Sequence, residues 1–271
     1  MGKRLECIVS DLDGTLLNPD SEISEEDSYE LLRIQEKGIP IVLATGRPYF
    51  YVSNFEQKLH ITTPLICNNG SIIMHEGMVL RSWAMDPILC EQLILNLIEH
   101  KIPFSVHTYD GVYRSGSPPA NLIIDIIKDP SKKVFYRHID DLQMGPDMQV
   151  FKISIFGVLA DKVREMIDYL SGLKKIQVAA SGYGVLDITS ANASKGKALK
   201  YVAEYIRVDL NNTVVFGDNE NDISMFQVAK YSVAMGNSPA ELKSASSFVT
   251  LTNKESGVSY ALNTFFCGML L

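Results

Sequence analysis

Two aspartates separated by one residue follow the first apolar run of the chain. Asp11 and Asp13 lie in residues 11–15 (DLDGT), directly after residues 5–10, whose apolar pattern predicts a buried strand. Ligands of open parallel sheets bind at the carboxyl ends of the strands, so both carboxylates are predicted to lie where chemistry is done. At this spacing one carboxylate can attack phosphorus while the other protonates the leaving oxygen. The alternative is a simple turn, in which Asp and Gly are also favoured.

A second acidic segment follows another apolar run near the end of the chain. Residues 217–222 (GDNEND) come directly after the predicted strand 213–216. Magnesium prefers hard oxygen ligands and needs only one or two carboxylates from the protein. We therefore predict that Asp218 is a metal ligand and that Asp222 ligates directly or through water. The alternative for Asp222 is a solvated helix N-terminus, where an acidic residue is favoured by the helix dipole.

Two further segments supply a hydroxyl and a cation. Thr45, Gly46 and Arg47 follow the predicted strand 39–44, where the hydroxyl and the backbone N–H groups could hold phosphate oxygens. Lys195 opens a predicted helix, where it could neutralise the attacking carboxylate and the phosphoryl group together. Alone, the first segment could be an ordinary connection from a strand to a helix, and Lys195 could be a solvated lysine on a helix face. Together with the two acidic segments they supply the parts that phosphoryl transfer needs.

The elements that must position these residues alternate between strands and helices. Ser24 is a predicted helix N-cap, and Gly38 is predicted to end that helix. Residues 72–74 and 78–80 predict a hairpin. This alternation predicts an α/β fold, a parallel sheet with crossover helices. Further strands are predicted at 65–67 and 231–235, and helices at 195–206 and 222–229.

The middle of the chain has a different pattern, which predicts a separate module. We assign residues 1–83 and 186–271 to the core and residues 84–185 to an inserted α+β module. Within the insert, strands are predicted at 104–109, 150–156 and 176–180, and helices at 86–100, 121–128 and 161–170.

Composition and charge restrict the class of protein. The 271 residues carry a net charge of −7, so neither nucleic acid nor an anionic membrane surface is an expected partner. No uncharged apolar stretch is long enough to span a bilayer. The four cysteines are widely spaced, which predicts free thiols in a reducing compartment: Cys7, Cys67, Cys90 and Cys267. The prediction is a cytoplasmic protein, a monomer or a small homo-oligomer.

The four motifs, in this order, resemble those of the haloacid dehalogenase superfamily. The inserted module between the second and third motifs, and the Asn-Asn-Gly of residues 68–70 before a hairpin, are similar to the Cof-type phosphatases with a type C2B cap. The resemblance covers essentially the whole chain and implies a Rossmann-like core with a substrate-specificity cap. One departure is that residues 190–194 (SANAS) lack the Pro or Gly often seen in relatives.

The resemblance also implies roles for individual residues. Asp11 would be the nucleophile that forms an aspartyl-phosphate, and Asp13 would be the general acid and later the base. The family's Mg²⁺ would be held by Asp11, the Asp13 carbonyl and Asp218, with Asp222 in support. The phosphoryl oxygens would be held by Thr45 and Lys195 with help from Leu12, Gly46, Arg47 and Asn221.

The inserted module is expected to select the substrate, a small phosphate ester. Its candidate contact residues are His107, Tyr109, Arg114 and Lys152, each of which could instead be an ordinary strand or surface residue. The expected substrates are phosphorylated sugars or sugar alcohols, or cofactor-like phosphates such as flavin mononucleotide and pyridoxal phosphate. Two alternatives stay open: a phosphomutase of the same superfamily, and a catalytically silent protein that binds a phosphometabolite.

Overall fold

The computed structural model describes residues 4–116, 135–157, 174–180 and 185–270. The chain divides into two compact units. The first unit is formed by Met1–Arg81 with Ser194–Leu271, and the second by Ser82–Ala193. The predicted helices at 121–128 and 161–170 lie outside the described residues.

The strands are numbered in chain order over the described residues. They are β1 Cys7–Ser10, β2 Ile41–Leu43, β3 Leu65–Cys67, β4 Ile72–His75, β5 Met78–Ser82, β6 Phe104–His107, β7 Val112–Arg114, β8 Tyr136–His138, β9 Lys152–Ile155, β10 Ile176–Ala180, β11 Leu186–Ser190, β12 Thr213–Gly217, β13 Tyr231–Ala234 and β14 Phe248–Val249.

The α-helices are numbered in the same way. They are α1 Glu25–Glu36, α2 Tyr49–Lys58, α3 Pro87–Glu99, α4 Lys195–Ile206, α5 Ile223–Phe226, α6 Ala240–Ala245 and α7 Gly257–Thr264. Helix α5 is shorter than the predicted helix at 222–229: Glu220–Asp222 forms a separate 3-10 turn before it, and the helix ends at Phe226.

A parallel sheet forms the centre of the first unit. Within the described residues its strand order is β14-β13-β12-β1-β2. Val9 of β1 lies between Val215 of β12 and Val42 of β2. All residues of these three strands are buried, as expected for parallel strands that are covered on both faces. The predicted α/β core is confirmed.

Helix α1 shows how local sequence sets an element's bounds. The Ser24 side chain accepts a hydrogen bond from the backbone N–H of Asp27, a capping contact that stabilises a helix by about 1 kcal/mol. Leu31 and Ile34 bury the inner face of the helix. The helix ends at Glu36, before Gly38, which has a positive φ of 78°. The predicted cap and the predicted stop are both confirmed.

A small sheet with the order β3-β4-β5 contains the predicted hairpin. The 3-10 turn Asn68–Gly70 precedes β4 and places three consecutive residues at positive φ. At Gly70 an added Cβ would lie 2.3 Å from the carbonyl carbon of Ser194. Only glycine therefore fits at this position.

The second unit contains a sheet with the order β10-β11-β9-β6-β7-β8; among its described strands only β7 and β8 pair in parallel. Alternate residues of its strands, including Phe104, Val106 and Ile153, join helix α3 in one apolar cluster. The predicted inserted α+β module is confirmed as part of the fold class. Its role as a cap that selects the substrate stays a prediction.

The second unit, Ser82–Ala193, is longer at both ends than the predicted insert of residues 84–185. The sequence analysis assigns residues 186–190 to the core, but strand Leu186–Ser190 pairs antiparallel with β10 and β9 of the second unit. Leu186 and Ile188 are buried in the apolar cluster of that unit. An apolar strand directly before a core motif resembles a core strand in sequence, whereas its partners come from the insert.

Candidate active site

Three neighbouring strands of the parallel sheet end at the predicted chemical residues. Asp11 follows β1, Asp218 follows β12, and Thr45 follows β2. Because β12, β1 and β2 are adjacent and parallel, their carboxyl ends lie at one edge of the sheet. Helix α4 contributes Lys195 as its first residue, after the N-cap Ser194.

Lys195 joins two of the acidic residues. Its Nζ lies 2.7 Å from Asp11 Oδ1 and 2.7 Å from Asp222 Oδ1, and its side chain is fully buried. A lysine ammonium has three N–H donors, and these two bonds use two of them. The buried ammonium therefore holds both carboxylates in place and keeps one donor for a further acceptor.

Burial and charge act in opposite directions on these groups. Burial disfavours the charged ammonium of Lys195, but Asp11 and Asp222 outweigh it and raise its pKa. Burial raises the pKa of Asp11 well above its usual value, with Lys195 opposing the shift and Asp222 adding to it. Burial and then Asp222 raise the pKa of Asp218 to about 7. The site holds more negative charge than one ammonium balances.

Asp222 is anchored through both of its carboxylate oxygens. Oδ1 accepts from Lys195, and Oδ2 accepts from the backbone N–H groups of Asp218 and Asn219 at 2.9 and 3.1 Å. These bonds fix the loop that carries Asp218. They favour a supporting role for Asp222, through the loop and through Lys195.

Gly14 allows Asp218 to approach the DLDGT segment closely. Its φ is +78°, and an added Cβ would lie 2.2 Å from Asp218 Oδ2. Thr15 donates a hydrogen bond from its hydroxyl to Asp218 Oδ1 at 3.2 Å. The first and fourth motifs are therefore in direct contact, although more than 200 residues separate them in the sequence.

The acidic residues form a group that could bind a divalent cation. Asp11, Asp218 and Asp222 each offer a carboxylate oxygen, and these atoms lie within 4.8 Å of one another. Three carboxylates face a single ammonium, so two negative charges remain when all three are ionised. Hard oxygen donors with excess negative charge fit a cation such as Mg²⁺.

Asp13 lies apart from this buried group. Its side chain is 52% exposed, and both of its carboxylate oxygens accept hydrogen bonds from Arg47, at 2.7 and 2.5 Å. The guanidinium carbon of Arg47 also lies 4.7 Å from the ring centre of Tyr51. The predicted phosphate contact of Arg47 stays a prediction, and in the structure its guanidinium binds the carboxylate of Asp13, the predicted general acid.

Thr45 and Gly46 lie close to Asn69, a residue that the sequence analysis did not assign. Thr45 is fully buried, and its carbonyl accepts from the backbone N–H of Asn69 at 3.0 Å. An added Cβ at Gly46 would lie 2.8 Å from Asn69 Oδ1, which also accepts from Asn221 Nδ2 at 2.9 Å. Asn69 thus connects the second motif to the fourth. The sequence signal that could have identified Asn69 is the Asn-Asn-Gly segment, because Asn and Gly are the residues that most readily adopt positive φ.

Leu12 contributes through its backbone. Its side chain is fully buried, and its carbonyl accepts from the N–H groups of Thr15 and Leu17. These bonds fold the DLDGT segment into a turn. The predicted roles of the site residues in binding and catalysis stay predictions.

The second unit places three of its four candidate residues on one face of the sheet. His107 of β6 lies opposite Lys152 of β9, and both are buried. Arg114 of β7 lies opposite Ser105, two residues before His107, and therefore on the same face. Tyr109 is separate from them and lines a cleft of about 540 Å³.

The remaining expectations concern thiols and membranes. All four cysteines are free, with Cys7, Cys67 and Cys90 buried and Cys267 exposed. In the part of the chain that the structure describes, no helix combines the length and the apolar character needed to cross a bilayer.

Comparison with known proteins identifies the family. The model of the haloacid dehalogenase-like hydrolases matches residues 8–262, which include all four motifs. The chain belongs to this family. A similar curated protein is the 5-amino-6-(5-phospho-D-ribitylamino)uracil phosphatase YwtE of Bacillus subtilis, which is 31% identical over 97% of this chain and 99% of its own.

Two further comparisons cover nearly the whole chain and support the same assignment. The pyridoxal phosphate phosphatase YbhA of Escherichia coli is 29% identical over 93% of this chain and 95% of its own. A solved haloacid dehalogenase-like hydrolase from B. subtilis superimposes with a TM-score of 0.86, at 27% identity, over 97% of this chain and 100% of that one. The predicted family is confirmed, and so is the predicted enzyme class, a phosphatase of this family.

Proposed function

We propose that this chain is a Mg²⁺-dependent phosphatase that hydrolyses small phosphate monoesters through an aspartyl-phosphate on Asp11. One observation carries the proposal: Lys195 lies 2.7 Å from both Asp11 and Asp222, inside the acidic group that includes Asp218. A buried nucleophile, a cation beside it and a carboxylate group suited to a metal are the parts that phosphoryl transfer requires.

In the first step Asp11 attacks the phosphorus atom. Its Oδ1 is held by Lys195, which leaves Oδ2 to form the new bond to phosphorus. The bond between phosphorus and the leaving oxygen breaks. For this step Asp13 must first carry a proton on one carboxylate oxygen, which it then gives to the leaving oxygen. The products are an alcohol, a phosphorylated Asp11 and an ionised Asp13.

In the second step water removes the phosphoryl group. Asp13 takes one proton from the water, whose oxygen attacks phosphorus as the bond to Asp11 breaks. Inorganic phosphate leaves, and both aspartates return to their starting forms. Because Asp13 is 52% exposed, it can reach water in the folded protein.

The phosphoryl oxygens would be held by groups around Asp11. Lys195 has a third N–H donor, and the hydroxyl of Thr45 lies at the end of the neighbouring strand. Backbone N–H groups near Leu12 and Gly46 and the amide of Asn221 would add neutral donors. Mg²⁺, held by Asp11, the Asp13 carbonyl and Asp218, would supply positive charge that the phosphoryl oxygens need.

The relatives favour particular substrates. One acts on 5-amino-6-(5-phospho-D-ribitylamino)uracil and another on pyridoxal phosphate, by their names. We therefore extend the proposal to small phosphorylated metabolites of this kind, including sugar phosphates. The net charge of −7 agrees with a small substrate rather than a nucleic acid.

The test is release of inorganic phosphate from a panel of esters in the presence of Mg²⁺. The panel would contain p-nitrophenyl phosphate, pyridoxal 5′-phosphate, glucose 6-phosphate and glycerol 3-phosphate. Acid quenching during turnover, followed by borohydride reduction, should convert phosphorylated Asp11 to homoserine, which mass spectrometry detects. Isomeric phosphates without free phosphate would indicate a mutase instead.

Asp11→Asn should lower kcat by about three orders of magnitude or more, because an amide is a far weaker nucleophile of nearly the same shape. The exposed Asp20→Asn is the matched control and should retain activity. Normal turnover by Asp11→Asn, or a reduced residue at another aspartate, would contradict the mechanism.

A further inference from the structure

The 3-10 turn Asn68–Gly70 of the first unit is bonded to the backbone of the second motif. The backbone N–H of Asn69 donates to the carbonyl of Thr45 at 3.0 Å. That of Asn68 donates to the carbonyl of Arg47, also at 3.0 Å. Asn69 has a left-handed φ of 57°, a conformation that Asn adopts more readily than most residues. The turn therefore fixes the backbone on both sides of Gly46.

The same turn packs against the third motif. Gly70 has a φ of +86°, and an added Cβ would lie 2.3 Å from the carbonyl carbon of Ser194 and 2.6 Å from the backbone nitrogen of Lys195. The backbone of the turn is thus in close contact with the start of helix α4. A displacement of the turn would be transmitted to the backbone of Lys195.

The side chain of Asn69 reaches the fourth motif. Its Oδ1 accepts a hydrogen bond from Asn221 Nδ2 at 2.9 Å. The same oxygen lies 2.8 Å from the position that a Cβ on Gly46 would take, and Asn69 is only 7% exposed. The Asn69 amide therefore occupies the space between Gly46 and Asn221. All of these residues belong to the first unit.

The orientation of the Asn221 amide depends on this contact. Among the described residues, Asn69 is the hydrogen-bond partner of the Asn221 side chain, whose Oδ1 is buried without one. Asn69 Oδ1 can only accept, so a flipped Asn221 amide would place two oxygens against each other. An amide NH₂ has two N–H donors, and the bond to Asn69 uses one. The other remains for a phosphoryl oxygen.

We propose that Asn69 is a positioning residue of the phosphoryl site. It orients the Asn221 amide and the backbone at Gly46 so that their N–H groups converge on the phosphoryl oxygens. The inference rests on the proposed phosphatase function and adds to it a residue that acts through its neighbours. Donors that are fixed before binding need no reorganisation when the phosphoryl group arrives. The effect should therefore appear in phosphate binding as well as in turnover.

Asn69→Gly tests the proposal because glycine accepts the positive φ and removes only the amide. Calorimetry with Mg²⁺ and inorganic phosphate should show about tenfold weaker phosphate binding than in the wild type, and kcat/KM for p-nitrophenyl phosphate should fall by a similar factor. Unchanged phosphate affinity would overturn the proposal. If Asn69→Gly does not fold, Asn69→Ser takes its place with the same expectation, since the serine hydroxyl is one bond shorter.

A double-mutant cycle shows whether Asn69 acts through Asn221. Asn221→Ala removes the oriented amide, so Asn69→Gly should then weaken phosphate binding by only about threefold or less, through Gly46. A merely structural role of Asn69 would not depend on Asn221. A full tenfold loss in both backgrounds would therefore overturn the proposal.

The matched control is Glu76→Gly. Glu76 also has a positive φ, of 50°, but it lies exposed in the turn between β4 and β5. Replacing it by glycine makes the same backbone change away from the four motifs. Phosphate affinity and kcat/KM should stay at the wild-type values. A loss equal to that of Asn69→Gly would show that backbone freedom, and not the amide, causes the effect.

The phosphate titration separates this inference from the proposed function, because it needs no turnover. If the coupling of Asn69 and Asn221 is found but the wild-type enzyme releases no phosphate from any ester, the positioning role stands and the phosphatase proposal fails. If the wild-type enzyme releases phosphate and Asn69→Gly binds phosphate normally, the phosphatase proposal stands and this inference fails.

Discussion

Arg47 donates hydrogen bonds to both carboxylate oxygens of Asp13, from Nε at 2.7 Å and from Nη2 at 2.5 Å. The same guanidinium stacks on Tyr51. A planar fork that is itself held by a ring fixes the orientation of the carboxylate it binds, which a flexible ammonium would not do. Asp13, the proposed acid and base, is therefore oriented by a residue of the second motif.

Arg47→Lys should lower kcat about tenfold with a smaller change in KM, because it loosens the group that delivers the proton in the transition state. The loss should be larger for glycerol 3-phosphate than for p-nitrophenyl phosphate, whose leaving group needs little protonation. Steady-state kinetics with both esters gives the comparison.

The matched control is Arg33→Lys, which changes a second arginine that binds both oxygens of a carboxylate, that of Glu30 on α1. It should leave kcat unchanged for both esters. Equal losses for the two esters in Arg47→Lys would show that the pair with Asp13 does not serve proton transfer.

Replacing Lys195 by Met should destabilise the metal-free protein by about 3–5 kcal/mol, because two buried carboxylates lose their common cation. Urea unfolding measures the change. Lys200→Met on the same helix, where the side chain is exposed, should change the stability by less than about 0.5 kcal/mol. Adding Asp222→Asn to Lys195→Met should recover part of the loss; a purely additive double mutant would refute the coupling.

The buried His107 should make the protein less stable in mild acid. Its folded pKa lies well below the unfolded value of about 6.5, so below pH 6.5 only the unfolded chain takes up this proton. The free energy of unfolding should therefore fall, by up to about 1.4 kcal/mol per pH unit, as the pH drops below 6.5. Above pH 6.5 this contribution is fully present.

Urea unfolding between pH 7.5 and 5 measures the slope. His107→Gln removes the titrating ring and should flatten the curve, whereas the exposed His100→Gln should leave it as in the wild type. Identical slopes for the wild type and His107→Gln would mean that other groups cause the acid sensitivity.

Gly14→Ala should weaken cation binding at least tenfold, because the new methyl group would displace Asp218. It should also cost about 1–2 kcal/mol of stability from its positive φ. Gly38→Ala is a matched control: its φ is also +78°, but nothing lies within 4 Å of the added Cβ. The control should lose similar stability and bind Mg²⁺ normally in calorimetry. Equal Mg²⁺ affinities of the two variants would contradict the proposed role of Asp218 as a ligand of the cation.

The sequence was sufficient to predict elements with strong local signals. Ser24 and Gly38 bound helix α1, and the apolar run before Asp11 forms a central strand. The closeness of Asp11 and Asp218 was also predictable, because parallel strands bring their carboxyl ends to one edge of the sheet. Local pattern and topology are properties that a single sequence contains.

Contacts between side chains from distant loops could not be predicted in this way. Arg47 binds Asp13 across 34 residues, and Lys152 binds Asp187 across 35. The alternating pattern of β9 does not indicate whether Lys152 faces solvent or an acidic side chain of another strand. The strand Leu186–Ser190 was misassigned for the same reason, since its apolar pattern fits either sheet and only its pairing decides.

The short distance along the chain between the insert and the buried ammonium restricts how such enzymes can be recombined. The second unit ends at Ala193, Ser194 caps helix α4, and Lys195 follows at once. The carbonyl of Ser194 also lies against Gly70. A chimaera that exchanges inserts between relatives should therefore be joined before Ser194. A junction only two residues later would take Ser194 and Lys195 from the donor together with the insert.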